Sequence, residues 1–170
     1  MDVGFAGWYL ITTYEPLVMG LFMANRVGNT YCKPNTVNSS QLRPVVSNNT
    51  AIANLIKGAA NKTSLKKIIQ DNRYVLWNFE NILPRKSGTI ERRGGRCLRG
   101  EVRTKRWIAF TIPFIHAVLS MDNLRNPSRV TLSNFTIQGL YEEVKRVSDQ
   151  MALTQRLPEG YRVFNESRQS

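Results

Sequence analysis

Apolar positions along the chain switch between helical and alternating spacing, and the switches divide it into segments. The most apolar window is Gly4 to Ala24, GFAGWYLITTYEPLVMGLFMA, about the roughly 20 residues that one bilayer span needs. Glu15 and Pro16 stand at its centre, where lipid penalises a carboxylate and a proline removes a backbone bond. The window therefore reads as an apolar arm over 1–13 followed by a buried helix starting near Tyr14-Glu15-Pro16. Proline in the first turn and an acid at the positive end both suit a helix start. Leu17, Leu21, Phe22 and Asn25 then fall at helical spacing.

Arg26 to Ser40 is polar and turn-rich, and Gln41 to Ser47 reads as a short edge strand around Pro44. Asn48-Asn49-Thr50 offers caps for a helix carrying Ile52, Leu55, Ile56 and Ala59, which ends around Gly58 to Asn61. Ser64 opens a short amphipathic helix, LKKIIQDN. Tyr74 to Phe79, YVLWNF, is apolar on both alternating faces and predicts a strand inside a sheet. Pro84 to Gly100 predicts a hairpin with a long basic loop, mobile over Ile90 to Arg96, whose return strand ends at Gly100. Trp107 to Met121 is apolar almost all round and predicts a core helix kinked or divided at Pro113. Arg129 to Leu140 alternates as a strand, Tyr141 to Leu153 fits a helix buried through Val144, Val147 and Met151, and Tyr161 to Phe164 alternates as a last strand. Helices interleaved with such strands imply an α+β fold: a single domain over 14–170 with a mostly antiparallel sheet, helices packed on one face and a long basic hairpin loop.

Charge narrows the partners. The 170 residues carry 24 Lys+Arg against 12 Asp+Glu, a formal net charge of +12, so the chain seeks a polyanion. Arginine outnumbers lysine 16 to 8, and its planar fork suits phosphate oxygens and guanine edges, which favours RNA or DNA over anionic lipid. Nine Lys/Arg and two Glu lie between Arg85 and Arg106, making Arg85, Lys86, Arg92, Arg93, Arg96, Arg99, Arg103, Lys105 and Arg106 the leading phosphate-binding candidates. Gly94 and Gly95 would let the backbone approach a phosphate closely. Tyr74, Trp77 and Phe79 are candidates for base stacking, although aromatics on a strand more often fill a core.

Catalytic chemistry finds little support. His116, the sole histidine, lies in an apolar run with no acid or nucleophile motif and reads as a core histidine bonded to a carbonyl. Cys32 and Cys97 each stand alone, so zinc is not expected and buried thiols are expected rather than a disulfide. GxxxxGK[ST] is absent. No enzyme activity, metal or cofactor is expected. Asn-x-Ser/Thr triplets begin at Asn38, Asn48, Asn61, Asn134 and Asn165, as an Asn-rich chain produces by chance. The N-terminus has neither the Arg-rich character of a transit peptide nor the basic start of a signal peptide.

The order of short motifs resembles the bacterial-type large-subunit ribosomal protein L-five family, in its divergent mitochondrial forms. Leu98-Arg99-Gly100-Glu101 is followed by the Trp107 to Met121 helix, the turn Leu124-Arg125-Asn126, Asn134-Phe135-Thr136-Ile137 and Gly160-Tyr161-Arg162-Val163-Phe164. Upstream, Tyr14-Glu15, Asn25, Asn29, Pro34 and Leu42-Arg43-Pro44-Val45-Val46 look like the family's first helix and strand. Departures are Leu124-Arg125-Asn126 in place of aromatic-Arg-Gly, a longer Arg103 to Met121 stretch, an early Pro113 and an apolar arm without counterpart. The resemblance implies a structural protein of the mitochondrial large ribosomal subunit, in the central protuberance, bound to 5S rRNA or its replacement. It also implies a basic loop toward P-site transfer RNA and a contact with the small-subunit head. It adds Arg125, Arg129, Asn25, Asn29 and Lys33 to the RNA-binding candidates. The alternative reading is an accessory subunit of a mitochondrial inner-membrane complex, anchored by Gly4 to Ala24 with its basic segment facing anionic lipid.

Overall fold

The computed structural model describes residues 12–21, 28–94, 100–120 and 136–164. Helix α1 covers 12–19, followed by α2 (Asn35–Asn38), α3 (Asn49–Lys57) and α4 (Lys62–Ile69), then strands β1 (Trp77–Asn78) and β2 (Glu91–Arg92), and finally helices α5 (Glu101–Ser120) and α6 (Ile137–Gln150). Among the described residues the fold is α+β but dominated by helix. Its sheet is a two-stranded antiparallel pair, with Trp77 opposite Arg92 and Asn78 opposite Glu91. The mostly antiparallel sheet expected from the alternating runs is not formed by these residues.

The helix starts follow local capping chemistry. Asn48 Oδ1 accepts from Ala51 N at 3.0 Å and Gly58 closes α3, as the pattern predicts. Ser64 does not open α4; Asn61 does, three residues earlier. Asn61 Oδ1 accepts from Ser64 N at 2.9 Å while Ser64 Oγ accepts from Asn61 N at 3.0 Å, a reciprocal box that satisfies two orphan donors. Thr136 caps α6 by accepting from Gly139 N at 3.0 Å, so the part of the strand expected over Arg129 to Leu140 that lies at 137–140 is helix; 129–135 fall outside the described residues. Leu140, Tyr141, Val144 and Val147 are then buried at helical spacing.

Two more expected strands are turns. Pro44 sits in the first positions of a 3₁₀ turn, Arg43–Val45, and Ser39 Oγ accepts from Gln41 N at 3.2 Å and Leu42 N at 3.1 Å, which commits this backbone to turning. Tyr161–Phe164 is also 3₁₀. Its period of three turns Tyr161 and Phe164 to one side, where both rings meet Tyr141 at 6.3 and 6.1 Å; alternation would have separated them. The family-like strands at 42–46 and 160–164 are therefore not strands here, and 98–99 lie outside the described residues.

Helix α5 runs through Pro113 without interruption. It starts at Glu101, earlier than the apolar run, and it is not buried all round. Trp107, Phe110, Phe114 and Val118 face the core, while Ile108, Ile112, His116 and Leu119 are exposed. An aromatic column joins it to its neighbours: Phe114 stacks on Trp77 at 5.9 Å and on Phe110 at 5.8 Å, and Phe164 packs on Trp107 at 4.6 Å. His116 is thus a surface residue, a correction to its core reading. The Ser120 hydroxyl lies 3.5 Å from its Nδ1 and donates to the His116 carbonyl at 2.8 Å.

A polar interior holds the other half together. Val75 to Phe79 is buried, yet among the described residues only Trp77 and Asn78 pair with a strand, and Val75 makes an isolated bridge to Lys33. Side-chain amides replace the missing neighbour: Asn35 Oδ1 accepts from Trp77 N at 3.0 Å and its Nδ2 donates to Trp77 O at 2.9 Å. Gln70 Oε1 accepts from Phe79 N at 2.7 Å, and its Nε2 donates to Asn78 Oδ1 at 3.0 Å. Asn35 is in turn held by Glu15 of α1. That buried carboxylate accepts from Asn35 N at 2.6 Å and from Thr36 N and Oγ1 at 2.9 Å each. The acid read as serving its own helix start instead caps α2.

Burial pushes the Glu15 carboxyl up to about 7 against the bonds that lower it. The unfolded chain releases this proton near 4.5, so the stabilisation is complete below 4.5 and is lost as pH rises to about 7, a change of about 3 kcal/mol. Glu91, Glu101 and Glu143 are held below the usual carboxylate range by hydrogen bonds to basic side chains and titrate below this window. The urea midpoint should therefore fall between pH 4.5 and 7 in the wild-type chain, and Glu15→Gln should flatten that fall. Parallel curves for the two proteins would show that Glu15 does not titrate in this way.

Candidate nucleic-acid interface

The two arginines that open the basic segment have opposite fates. Arg92 is in β2, and strand alternation turns it inward. Its guanidinium lies 4.4 Å from the Trp107 ring centre, 5.5 Å from Trp77 and 5.8 Å from Phe110, with Nη1 donating to Thr111 Oγ1 at 2.8 Å. The residue as a whole is half-buried, but Nε and Nη2 are out of reach of solvent. Burial pushes the guanidinium down to about 9, so it keeps its charge at neutral pH. A desolvated cation over aromatic faces is worth about 2 kcal/mol or more. Arg92 was expected to reach for phosphate from a mobile loop; it is a packing element between the hairpin and α5.

Arg93, the next residue, faces out. It pairs with both Glu91 oxygens, Nε at 2.9 Å and Nη2 at 3.0 Å, and its guanidinium lies 6.0 Å from the Tyr74 ring. Arg73 lies over the same ring at 5.4 Å, and the Tyr74 hydroxyl holds Arg73 above its ordinary value. Tyr31 meets Tyr74 edge-on at 5.3 Å and is 63% exposed. The strand-like bridge below them runs from Lys33 N to Tyr74 O at 3.2 Å and from Leu76 N to Lys33 O at 2.8 Å. Asn29, Tyr31, Lys33, Arg73, Tyr74 and Arg93 thus form one basic and aromatic surface at the open end of the hairpin.

Of the expected RNA contacts, the structure brings Asn29, Lys33 and Arg93 together here. Arg85 and Lys86 are exposed in the connection at the hairpin's closed end, where Arg85 (φ 68°) and Gly88 (φ 76°) take left-handed turns and Gly88 N donates to Asn81 O at 2.8 Å. Among the described residues the strand paired with β1 is Glu91–Arg92; the return strand expected to end at Gly100 falls on 95–99, outside the described residues. Arg103, Lys105 and Arg106 lie half-buried in the first turns of α5, with Lys105 paired to Glu101. Arg96, Arg99, Arg125, Arg129 and Asn25 fall outside the described residues.

Of the three stacking candidates, Trp77 and Phe79 are buried and only Tyr74 reaches the surface. Sequence reasoning missed Tyr31 and Arg73. A signal was present: Asn29-Thr30-Tyr31 and Asn72-Arg73-Tyr74 are two copies of Asn-x-Tyr. In each, the Asn Oδ1 accepts from the Tyr N at 2.9 Å, an Asx turn that tolerates few other residue types.

Protein-family models, curated proteins and solved structures were compared with the chain, and none of them matches it.

Adjacent arginines should behave oppositely on truncation. Arg92→Ala should lower unfolding free energy by about 2–3 kcal/mol through the lost cation–π contact and cavity, and Arg92→Lys should recover only part, lacking the planar face. Arg93→Ala, removing an exposed ion pair, should cost under about 1 kcal/mol. Urea denaturation measures all three; equal losses at 92 and 93 would contradict the burial of Arg92.

Proposed function

We propose that the chain is a non-catalytic RNA-binding protein, and that the RNA belongs to the large subunit of a mitochondrial-type ribosome. The observation that carries the first half is a net charge of +12 gathered in part around exposed tyrosines at the hairpin's open end. Phosphates favour the cations and bases favour the rings. The second half is supported by the order of motifs that resemble the L-five family, not by its strands. It extends to rRNA of the central protuberance, 5S or its replacement, to P-site transfer RNA and to the small-subunit head as partners, with the mitochondrial matrix as the location.

The membrane-anchored alternative receives less support. Residues 12–19 fall within its apolar window, and there Tyr14, Glu15 and Val18 belong to the protein's own interior. Among the described residues no helix is long and apolar enough to cross a membrane.

RNA crosslinked to the intact protein should map to large-subunit rRNA, and the protein should cosediment with large-subunit particles. Its affinity for RNA should fall steeply with salt, each phosphate contact adding about 0.7 to the log–log slope on a single strand and about 0.9 on a duplex. Replacing Arg85 and Lys86 together with Ala should reduce that slope by roughly 1.5. Absence of salt-dependent RNA binding would overturn the RNA reading; an unchanged slope in the double variant would remove the hairpin tip from the interface.

A further inference from the structure

The geometry points to a stacking site for an unpaired base, built on the Tyr31 ring, braced by Tyr74 and flanked by Lys33 and Arg73 for the adjoining phosphates. The inference rests on the RNA-binding reading and adds to it the part of the surface and the single-stranded form of the ligand.

Four observations converge on it. Among the described residues Tyr31 is the most exposed of the large apolar side chains at 63%, yet it is held in place: its backbone N–H is bound by Asn29 and its ring meets Tyr74 edge-on at 5.3 Å. The guanidiniums of Arg73 and Arg93 lie over the Tyr74 ring, whereas Tyr31, braced by one edge-on contact, keeps most of its surface open to solvent. Such a ring is prepared for stacking at little cost in conformational entropy, because its orientation is set before a base arrives. Tyr74 is anchored in the same way by Asn72 and by the Lys33 bridge, so the pair sits on a rigid doublet of Asx turns.

The surrounding chemistry selects the ligand. Around Tyr31 the chain and the neighbouring segment supply Asn29, Thr30, Lys33, Asn72 and Arg73, which are polar or cationic. An apolar protein face or lipid chains would leave those groups desolvated, whereas a nucleotide matches them, base on ring and phosphate on cation. Glu91 neutralises Arg93, so Lys33 and Arg73 carry the patch's net positive charge; Glu80 and Glu91 act on Arg73 only at longer range. A duplex keeps its bases stacked on each other and offers no free ring face, which makes a single strand, loop or bulge the form that fits.

The test uses the full chain and labelled 12-nucleotide single strands of RNA and of DNA, beside the corresponding RNA duplex, with affinity read by fluorescence anisotropy across a salt series. Tyr31→Ala is exposed enough to leave the thermal midpoint unchanged. It should weaken single-strand binding roughly 5- to 100-fold at constant salt slope, and leave duplex binding alone. Tyr31→Phe should retain wild-type affinity. Lys33→Ala with Arg73→Ala should instead lower the single-strand slope by about 1.4. A matching loss on DNA supports the site, since stacking makes no use of the 2′-hydroxyl. Wild-type affinity of Tyr31→Ala for single strands, with steep salt dependence retained, would overturn the stacking site and leave the RNA reading standing. No binding to any nucleic acid, or preference for phosphatidylglycerol vesicles over all of them, would overturn both.

Discussion

The packing of the N-terminal half depends on how the backbone of 77–79 is satisfied inside the protein. A buried strand needs a hydrogen-bonding partner on each side, and unpaired amides there cost about 1–3 kcal/mol each. One side of Trp77 and Asn78 is met by β2. On the other, the carboxamide of Asn35 offers a donor and an acceptor in the geometry of a peptide group and reproduces a strand's paired bonds to Trp77. Gln70 accepts from the Phe79 N–H and sends its own amide protons to Asn78 Oδ1 and Asn72 O. Each amide must be held in one orientation to serve, and Glu15 fixes the backbone from which Asn35 projects. A chain of hydrogen bonds thus ties α1 to α2, to the end of α4 and to the hairpin. The α1–α2 link titrates near neutral pH because burial raises the Glu15 carboxyl to about 7.

Once that segment is fixed, β2 has a single register, and the register decides where positive charge points. Trp77 opposite Arg92 puts the guanidinium among rings already assembled by α5; a slip by one residue would exchange Arg92 with Glu91 or Arg93. The aromatic site tolerates a cation because its ring faces are electron-rich, whereas a carboxylate there would meet the negative faces of those rings. The same alternation turns Glu91 and Arg93 outward as a pair. A run that looks uniformly basic in one dimension is therefore divided by the pleat into a structural cation and a surface cation.

The division explains what the sequence could and could not disclose. Caps were legible because they act within four residues: Asn48 and Gly58 bound α3 as their positions suggest. On the core face of α6, Val144 and Val147 were legible from spacing, whereas Leu140 was placed in a strand and Met151 lies half-buried past the helix end. Strand readings at Gln41 to Ser47 and Tyr161 to Phe164 fail because alternation over four to seven residues is also compatible with 3₁₀ turns, and Pro44, the Ser39 hydroxyl and the Tyr141 ring decide between them. Within Tyr74 to Phe79, Val75 to Phe79 was read correctly as buried but not as lacking a full ladder, since its partners are side chains 42 and 9 residues away. At the candidate interface, charge marked Arg93 but also Arg92, because composition does not record which side of a strand a residue occupies.

Asparagine serves two purposes in this chain, and the second depends on the first. Inside, amide groups stand in for backbone and hold 77–79 in place; at the surface, Asn29 and Asn72 close the turns that present Tyr31 and Tyr74. The outer pair can be ordered only because Tyr74 continues directly into the buried segment, and Lys33 pairs with that segment just before α2 begins. A surface tyrosine on an ordinary loop would sample many orientations and lose stacking energy in becoming fixed. Here the orientation is inherited from the interior through three residues of extended chain. The polar core and the exposed rings are thereby one construction, in which buried hydrogen bonds supply the rigidity that an open, cationic surface lacks.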